Sequence, residues 1–338
     1  MTIRTVDLFC GAGGSSWGAK NAGASIVAGV ELSGLALECF ADNFPGAEPV
    51  LGEIGARSPE EVLGDVGQVE LLLASPECTN HTCARGARPS SETSRMTAWH
   101  VLAYIDLLQP RWLVLENVVH MRRWARYTGF IERLERSGYN VLPQVLDAAS
   151  FGVPQTRRRL FIIADRKGQA PDLTAVRCPG RTVKGILDVP GIHVSRPLYS
   201  ERRAAPTLAR AERAIKALGR GVPFLIVYYG SDAAGGWQTL DRPLRTITTL
   251  DRFGLVTWEE GEPMLRMLQV SELRRAMGFD EAFKLNFGTR RDRIRLLGNG
   301  VCPPVMSAIV ARLTGSRNHS VQTSRQRTLP HDGRAMVA

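Results

Sequence analysis

The sequence predicts an α/β protein with a mostly parallel, doubly wound sheet, and two features of its first half indicate this class. Short apolar runs typical of buried strands alternate with helix-like segments along residues 4–164. Glycines or polar side chains follow several of these runs, at the edge where open α/β sheets bind ligands. The 338 residues suffice for one large core and a smaller second unit.

Composition narrows the class further. The apolar content of 44% and charged content of 22% are ordinary for a globular protein. The sequence contains no apolar run long enough to span a membrane, and residues 1–20 lack the pattern of a secretion signal. We therefore expect a cytoplasmic protein. The six cysteines show no Cys-x-x-Cys pairing, which argues against a disulfide framework and predicts no metal site. Residues 151–220 hold fifteen Lys/Arg against five Asp/Glu. This excess favours a nucleic-acid partner over an ordinary solvated surface.

The first strand, over residues 4–9, runs into a glycine-rich turn, Cys10-Gly11-Ala12-Gly13-Gly14. Ser16 stands where the dinucleotide-binding fingerprint has its third glycine, so the match to that motif is imperfect. A second strand ends in Glu31, twenty residues after Gly11, where an acid suits the hydroxyls of a ribose. Together these features favour an adenosine-containing cofactor over a purely architectural turn.

The next strands deliver further polar groups to the same edge. Glu53 follows the third strand, and Cys78 follows the fourth, two residues after Pro76. A cysteine there is either a nucleophile, if its neighbours favour the thiolate, or a small buried residue. Residues 81–94 form a polar segment that predicts a mobile loop, and residues 96–108 read as a helix. The fifth strand ends in Glu116-Asn117, which faces the crevice that holds Cys78.

The second half is less regular. An apolar strand over residues 161–164 is preceded by three arginines, Arg157, Arg158 and Arg159. Burying these side chains is costly unless they pair with a carboxylate or a phosphate. Beyond residue 166 the pattern predicts a small β-rich unit, then helical periodicity over 264–278 and a final apolar helix over 305–313. We expect domains at 1–168, 169–296 and 297–315, the last returning to the first, and a disordered tail at 316–338.

These motifs, in this order, resemble those of the DNA (cytosine-5)-methyltransferases over residues 4–313. The matching blocks are the Asp7–Gly14 stretch, Glu31, Pro76-x-Cys78, Glu116-Asn117-Val118, Gln155-x-Arg157-x-Arg159 and Gly298-Asn299-x-Val301. The resemblance implies a Rossmann-like, S-adenosylmethionine-dependent methyltransferase fold in which residues 169–296 recognise the target. It also implies methyl transfer to carbon 5 of a flipped-out cytosine in DNA, through a covalent adduct between Cys78 and carbon 6.

The resemblance assigns roles to individual residues. The catalytic set would be Cys78, Glu116, Asn117, Arg157 and Arg159. S-adenosyl-L-methionine would be held by Asp7, Phe9, Gly11, Ala12, Gly13, Glu31, Leu32, Glu53, Ile54, Pro76, Asn299 and Val301. Double-stranded DNA would contact Arg85, Arg88, Gln155 and Arg158. We expect a monomer without metal that belongs to a restriction-modification system or is an orphan or phage-type enzyme.

Several residues depart from the family pattern. Glu77 replaces a second proline before the cysteine, Thr79 replaces a glutamine after it, Glu53 replaces the commoner aspartate, and Gly300 replaces a small non-glycine residue. A carboxylate beside Cys78 raises a thiol pKa unless an arginine pairs with it. Three alternatives stay open: an RNA cytosine-5 methyltransferase, a non-catalytic nucleic-acid-binding relative, and a nicotinamide-dependent oxidoreductase.

Overall fold

A computed structural model describes residues 2–77, 92–230 and 235–315, apart from the side chains of residues 92–95. Its larger sheet has seven strands in the order β3-β2-β1-β4-β5-β7-β6. These strands are β1 Ile3–Leu8, β2 Ala24–Glu31, β3 Glu48–Leu51, β4 Leu71–Ala74, β5 Trp112–Asn117, β6 Asn140–Asp147 and β7 Arg158–Asp165. The pairings among β1 to β5 are parallel, and β7 runs antiparallel to both of its neighbours. The predicted mostly parallel sheet is confirmed.

Helices cover both faces of this sheet, because its strands bury side chains on both sides. On β4, Leu71 and Leu73 join the apolar cluster of one face, and Leu72 and Ala74 join that of the other. The helices that follow the first five strands are α1 Gly14–Asn21, α2 Gly34–Asn43, α3 Pro59–Leu63, α4 Glu92–Leu108 and α5 Tyr127–Arg136. The doubly wound arrangement follows from this two-sided burial.

A second, antiparallel sheet occupies the later part of the chain. Its order is β10-β9-β11-β12-β8. The strands are β8 Arg196–Pro197, β9 Phe224–Val227, β10 Trp237–Thr239, β11 Phe253–Glu259 and β12 Glu262–Met267. Leu225 and Leu255 face the same apolar cluster as Trp17 of α1, whereas Phe224 and Val256 pack with the helix α6, Ala205–Leu218. The two sheets therefore share one continuous core.

One expectation for this second unit was wrong. The helical pattern over 264–278 begins in the strand β12, and only Val270–Ala276 forms the helix α7. Pairing with β11 buries Leu265, so tertiary partners override the local periodicity. The unit also contains a helix that the pattern did not predict, since α6 runs for 14 residues with Ala211 and Ala214 buried against the sheet.

The chain finally returns to the first helix. Helices α8, Arg290–Asn299, and α9, Pro303–Thr314, follow one another, and α9 packs on α1. A Cβ at Gly14 would lie 2.5 Å from the carbonyl oxygen of Val301, and one at Gly18 would lie 2.5 Å from that of Pro303. By length and composition residues 290–314 could span a membrane, but 67% of that apolar window is buried in the protein. Such burial is typical of a core helix.

Candidate active site

The polar residues predicted from the sequence gather at the carboxyl edge of the larger sheet. Strand order reverses between β1 and β4, and open α/β sheets bind ligands at such a switch point. The glycine-rich turn leaves β1, and Glu31 ends β2. The segment 75–77 leaves β4, and Glu116-Asn117 ends β5. One crevice therefore receives groups from at least four strands.

The turn after β1 is built from left-handed residues. Phe9, Gly11 and Gly13 have φ angles of 57°, 54° and 96°. A Cβ on Gly13 would overlap the ring of Phe44, so this glycine is needed for packing. A Cβ on Gly11, in contrast, would have no atom of the described residues within 4 Å. The turn is closed on its core side and open toward the crevice.

Glu31 is held against this turn. Its carboxylate accepts hydrogen bonds from the backbone N–H of Gly11 at 2.9 Å and of Leu32 and Ser33 at 3.0 Å. The side chain of Leu32 is 66% exposed, although it is apolar. Glu53 is exposed at the end of β3, and Ile54 is buried beside it. The carboxylate of Glu31 suits the hydroxyls of a ribose, and the exposed side chain of Leu32 suits the face of a flat base.

Asp7 lies beneath the turn with no exposed surface. Its Oδ2 accepts a 2.6 Å hydrogen bond from the hydroxyl of Ser16, and its Oδ1 has no partner among the described residues. Burial raises the pKa of this carboxyl to about 7, against the lowering effect of Ser16. Ser16, which interrupts the dinucleotide fingerprint, is therefore the partner of a buried acid.

The segment after β4 is fastened to β5. Asn117 is fully buried, donates from Nδ2 to the carbonyl of Pro76 at 3.1 Å, and accepts the N–H of Val118 at 2.8 Å. Ser15 and Ser75 join their hydroxyls at 3.3 Å. Pro76 is buried and Glu77 is exposed. Cys78, Thr79, Arg85 and Arg88 lie outside the described residues, so their predicted roles stay predictions.

Glu116 forms the charged centre of the crevice. Its Oε1 lies 3.2 Å from Nε of Arg159, and the glutamate is only 7% exposed. Burial raises the pKa of Glu116, while Arg159 and then Arg157 act in the opposite direction. The expected carboxylate partner of one arginine is thus Glu116. A buried glutamate with a raised pKa is a suitable proton donor.

Arg157 is bonded to the backbone of later segments of the chain. It is 3% exposed and donates to the carbonyls of Ile247 at 2.9 Å, Gly298 at 2.8 Å and Gly300 at 3.0 Å. These bonds tie β7 to the second unit and to the returning segment. The contacts of Arg157 thus include three backbone carbonyls, and its expected catalytic role stays a prediction.

Gln155 is also structural in this geometry. It has no exposed surface, donates to the carbonyl of Ala276 at 3.2 Å, and accepts the N–H of Ile247 at 2.9 Å. The buried amide therefore connects the two units, and the expected nucleic-acid contact stays a prediction. Arg158, by contrast, is exposed on β7, where a polyanion could reach it.

Comparison with known proteins identifies the family. Residues 3–315 match the model of the C-5 cytosine-specific DNA methylases. The chain belongs to this family. The type II methyltransferase M.HgiDI of Herpetosiphon aurantiacus is 31% identical over 72% of this chain and 80% of its own. M.NaeI of Lentzea aerocolonigenes is 27% identical over 94% of this chain and 76% of its own.

Solved structures support the methylase fold. A DNA modification methyltransferase encoded within an E. coli prophage superposes with a TM-score of 0.68 at 20% identity, covering 93% of this chain and 99% of that one. A Spodoptera frugiperda DNMT2 mutant gives 0.67 at 18% identity, covering 92% and 99%. At these identities the likeness concerns the fold alone.

The methylase site can be tested for its fit to the cofactor that such a fold implies. The open surface at Gly11, the carboxylate of Glu31 and the exposed Leu32 suit an adenosine, and they lie on one edge. Val301 closes the opposite side with its backbone against Gly14, and Asn299 is exposed beside it. Within the described ranges no three potential metal ligands come together. The residues therefore fit a nucleoside cofactor.

Proposed function

We propose that this protein transfers a methyl group from S-adenosyl-L-methionine to carbon 5 of a cytosine in double-stranded DNA. The observation that carries this proposal is Glu116, buried against Arg159 and joined through Asn117 to the Pro76 segment that leads into Cys78. A protonated carboxyl beside the start of a cysteine-bearing segment suits nucleophilic activation of a pyrimidine. Membership of the C-5 methylase family supports the same reaction.

The cofactor, when bound, supplies an electrophilic methyl group on a sulfonium. Glu31 would hold the ribose hydroxyls, Leu32 and Ile54 would border the adenine, and Glu53 would accept from its amino group. The turn from Phe9 to Gly13, which includes Ala12, would lie along the amino-acid portion. Asn299 and Val301 would close the site from the returning segment. The open face at Gly11 supports this arrangement.

Cys78 begins the reaction. Its thiolate adds to carbon 6 of the flipped-out base, forming the Sγ–C6 bond and moving an electron pair through carbon 5 toward N3. Glu116 in its protonated form would donate that proton to N3, and burial raises the pKa of this carboxyl. Carbon 5 is thereby a nucleophile and accepts the methyl group. Loss of its proton to a base then breaks the Sγ–C6 bond, and Glu116 recovers its own proton from N3.

Arg159 and Asn117 hold this geometry. Arg159 orients the glutamate through its 3.2 Å contact, and its charge limits how far the pKa of Glu116 rises. Asn117 fixes the backbone at Pro76, two residues before the nucleophile. The two residues would hold the proton donor and the segment that leads into Cys78 close to the same base. A displacement of either group by about 1 Å costs about 100-fold in rate.

The second unit, residues 169–296, would recognise the target sequence, and residues 297–315 would complete the cofactor site. Arg157 donates hydrogen bonds to Ile247 in the second unit and to Gly298 in the returning segment. These contacts hold both segments against the site, which supports the two assignments. We expect the protein to act on DNA as a monomer in the cytoplasm. The named type II methyltransferases among its relatives suit a modification enzyme, either paired with a nuclease or acting as an orphan.

Nucleoside mass spectrometry tests the reaction. The protein is incubated with S-adenosylmethionine and unmethylated DNA, with bulk transfer RNA in a parallel tube. We expect 5-methyldeoxycytidine in the DNA and no 5-methylcytidine in the RNA. Product in the RNA alone would contradict the assignment of DNA and support the RNA methyltransferase alternative.

A covalent trap tests the nucleophile. Duplex DNA containing 5-fluorodeoxycytidine cannot lose its carbon-5 substituent as a proton, so the Sγ–C6 bond persists. Wild-type protein and Cys178→Ala, a matched control in the second unit, should form a denaturation-resistant complex. Cys78→Ala should form none, although it still binds DNA. A complex of equal yield with Cys78→Ala would refute the assignment of the thiol.

A further inference from the structure

We propose that Arg122, Arg123 and Arg158 form a basic rim that grips DNA phosphates at the mouth of the crevice. This inference rests on the proposed function and adds a contact surface to it. Arg122 and Arg123 lie in a short 3-10 turn, Val119–Arg123, directly after the Glu116-Asn117 pair. Arg158 begins β7, the strand that neighbours β5 at this edge.

The turn is rigidly placed. Met121 is fully buried and Trp124 is 4% exposed, so two apolar side chains anchor the turn in the core. The N–H of Met121 donates to Val118 at 3.0 Å, and that of Trp124 donates to Met121 at 2.9 Å. Because Val118 is itself bonded to Asn117, the backbone position of Arg122 is coupled to the catalytic pair. Both arginines are left exposed.

Among the residues that the structure describes, no acid neutralises the charge of this turn. Residues 117–131 contain no Asp or Glu. Within the described ranges, the guanidinium groups of Arg122 and Arg123 make no hydrogen bond and no ion pair. Other arginines of the same domain do, as in Arg111 with Asp165 and Arg133 with Asp106. Glu116, the nearest acid in the chain, is already bound to Arg159.

Arg122 and Arg123 are adjacent and have no counter-charge among the described residues, an arrangement that favours an external anion. The turn packs against β7, and the first residue of that strand is the exposed Arg158. Guanidinium groups bind phosphate oxygens through paired N–H donors. A rim beside the flipped-base site would contact the DNA backbone, fix the position of the duplex, and carry no sequence preference.

Salt dependence of binding measures such contacts. Fluorescence anisotropy follows a labelled duplex across a NaCl series, and the slope of log K against log salt gives the number of phosphate contacts. We expect R122Q/R123Q to flatten the slope by about 1.8 and to weaken binding roughly 30-fold at physiological salt. The KM for DNA should rise more than kcat falls. R122K/R123K, which keeps both charges, should restore most of the slope.

Arg136→Gln is the matched control. Arg136 is exposed in the last turn of α5, which leads into the start of β6 at the opposite edge of the sheet. It should keep the wild-type slope and activity. Equal slopes for wild type and R122Q/R123Q, in a preparation that methylates DNA, would overturn the rim while leaving the proposed function intact. A slope flattened by about 0.9 in R136Q, half of the change in R122Q/R123Q, would also overturn it, because loss of net charge would then explain the effect.

Discussion

Asp7→Asn is a sharp test of the buried acid beneath the glycine-rich turn, because it replaces an ionisable group with a neutral one of the same shape. Asp7 has no exposed surface, and only one of its oxygens has a partner among the described residues, the hydroxyl of Ser16. Asparagine can still accept that hydrogen bond. The substitution therefore removes the charge and leaves the packing in place.

The magnitude follows from the pKa of Asp7, which burial raises from 3.8 to about 7. One pKa unit corresponds to about 1.4 kcal/mol, so the ionised carboxylate lowers the free energy of unfolding by about 4 kcal/mol. Since the folded pKa lies above the unfolded one, the protonated form stabilises the protein fully below about pH 4. That contribution is lost as the pH rises through about 7.

The assay is urea denaturation of the cofactor-free protein, followed by tryptophan fluorescence, at a series of pH values. The free energy of unfolding of Asp7→Asn is subtracted from that of wild type at each pH. The contributions of the other titrating groups cancel in this difference. We expect this difference to be constant below about pH 4, to fall by about 4 kcal/mol up to about pH 7, and then to level off.

Asp172→Asn provides a control of opposite sign. Asp172 accepts two hydrogen bonds from Thr174, which lower its pKa, so its contribution is present at neutral pH and lost as the pH falls. A difference for Asp7→Asn that stays flat between about pH 4 and pH 8, with the Asp172 control behaving as expected, would refute the reasoning about burial.

Three further predictions concern the crevice and its supports. Glu116→Gln should lower kcat by about 10²- to 10⁴-fold and remove the loss of kcat at high pH, measured by methyl transfer to DNA; an unchanged pH–rate profile would contradict proton donation. Arg157→Met should destabilise the protein by about 3 kcal/mol or more and weaken cofactor binding in calorimetry, because it frees at least three buried carbonyls. Gly18→Ala should cost about 1–3 kcal/mol through overlap with α9, whereas Gly129→Ala, in open space on α5, should stabilise by up to about 1 kcal/mol; thermal melting distinguishes the two.

Much of the site could be predicted because strand ends are local features. An apolar run followed by a polar residue identifies both a buried strand and its carboxyl end, and parallel strands bring those ends to one edge. Glu31 and Glu116 were placed correctly in this way. The same rule identified the turn at Gly11, since the glycine pattern lies directly after a strand.

The helix predicted over 264–278 shows where local patterns fail. Its first residues are a strand because β11 offers a partner that buries Leu265. Helix α6 was missed although Ala211 and Ala214 have helical spacing. Short apolar spacings of this kind are compatible with both a helix and a strand. Only the element that packs against the segment decides which of the two forms.

By itself, the sequence determined the fold class, the order of polar groups along the crevice and the family, because each depends on residues close together in the chain. Only the tertiary structure decided what each charged group contacts. Arg159 meets Glu116, whereas Arg157 reaches Gly298, 141 residues away. Strand β7 inserts antiparallel beside β5, and this pairing sets the partner of each arginine. Contacts of that range depend on how distant elements pack, which no local pattern records.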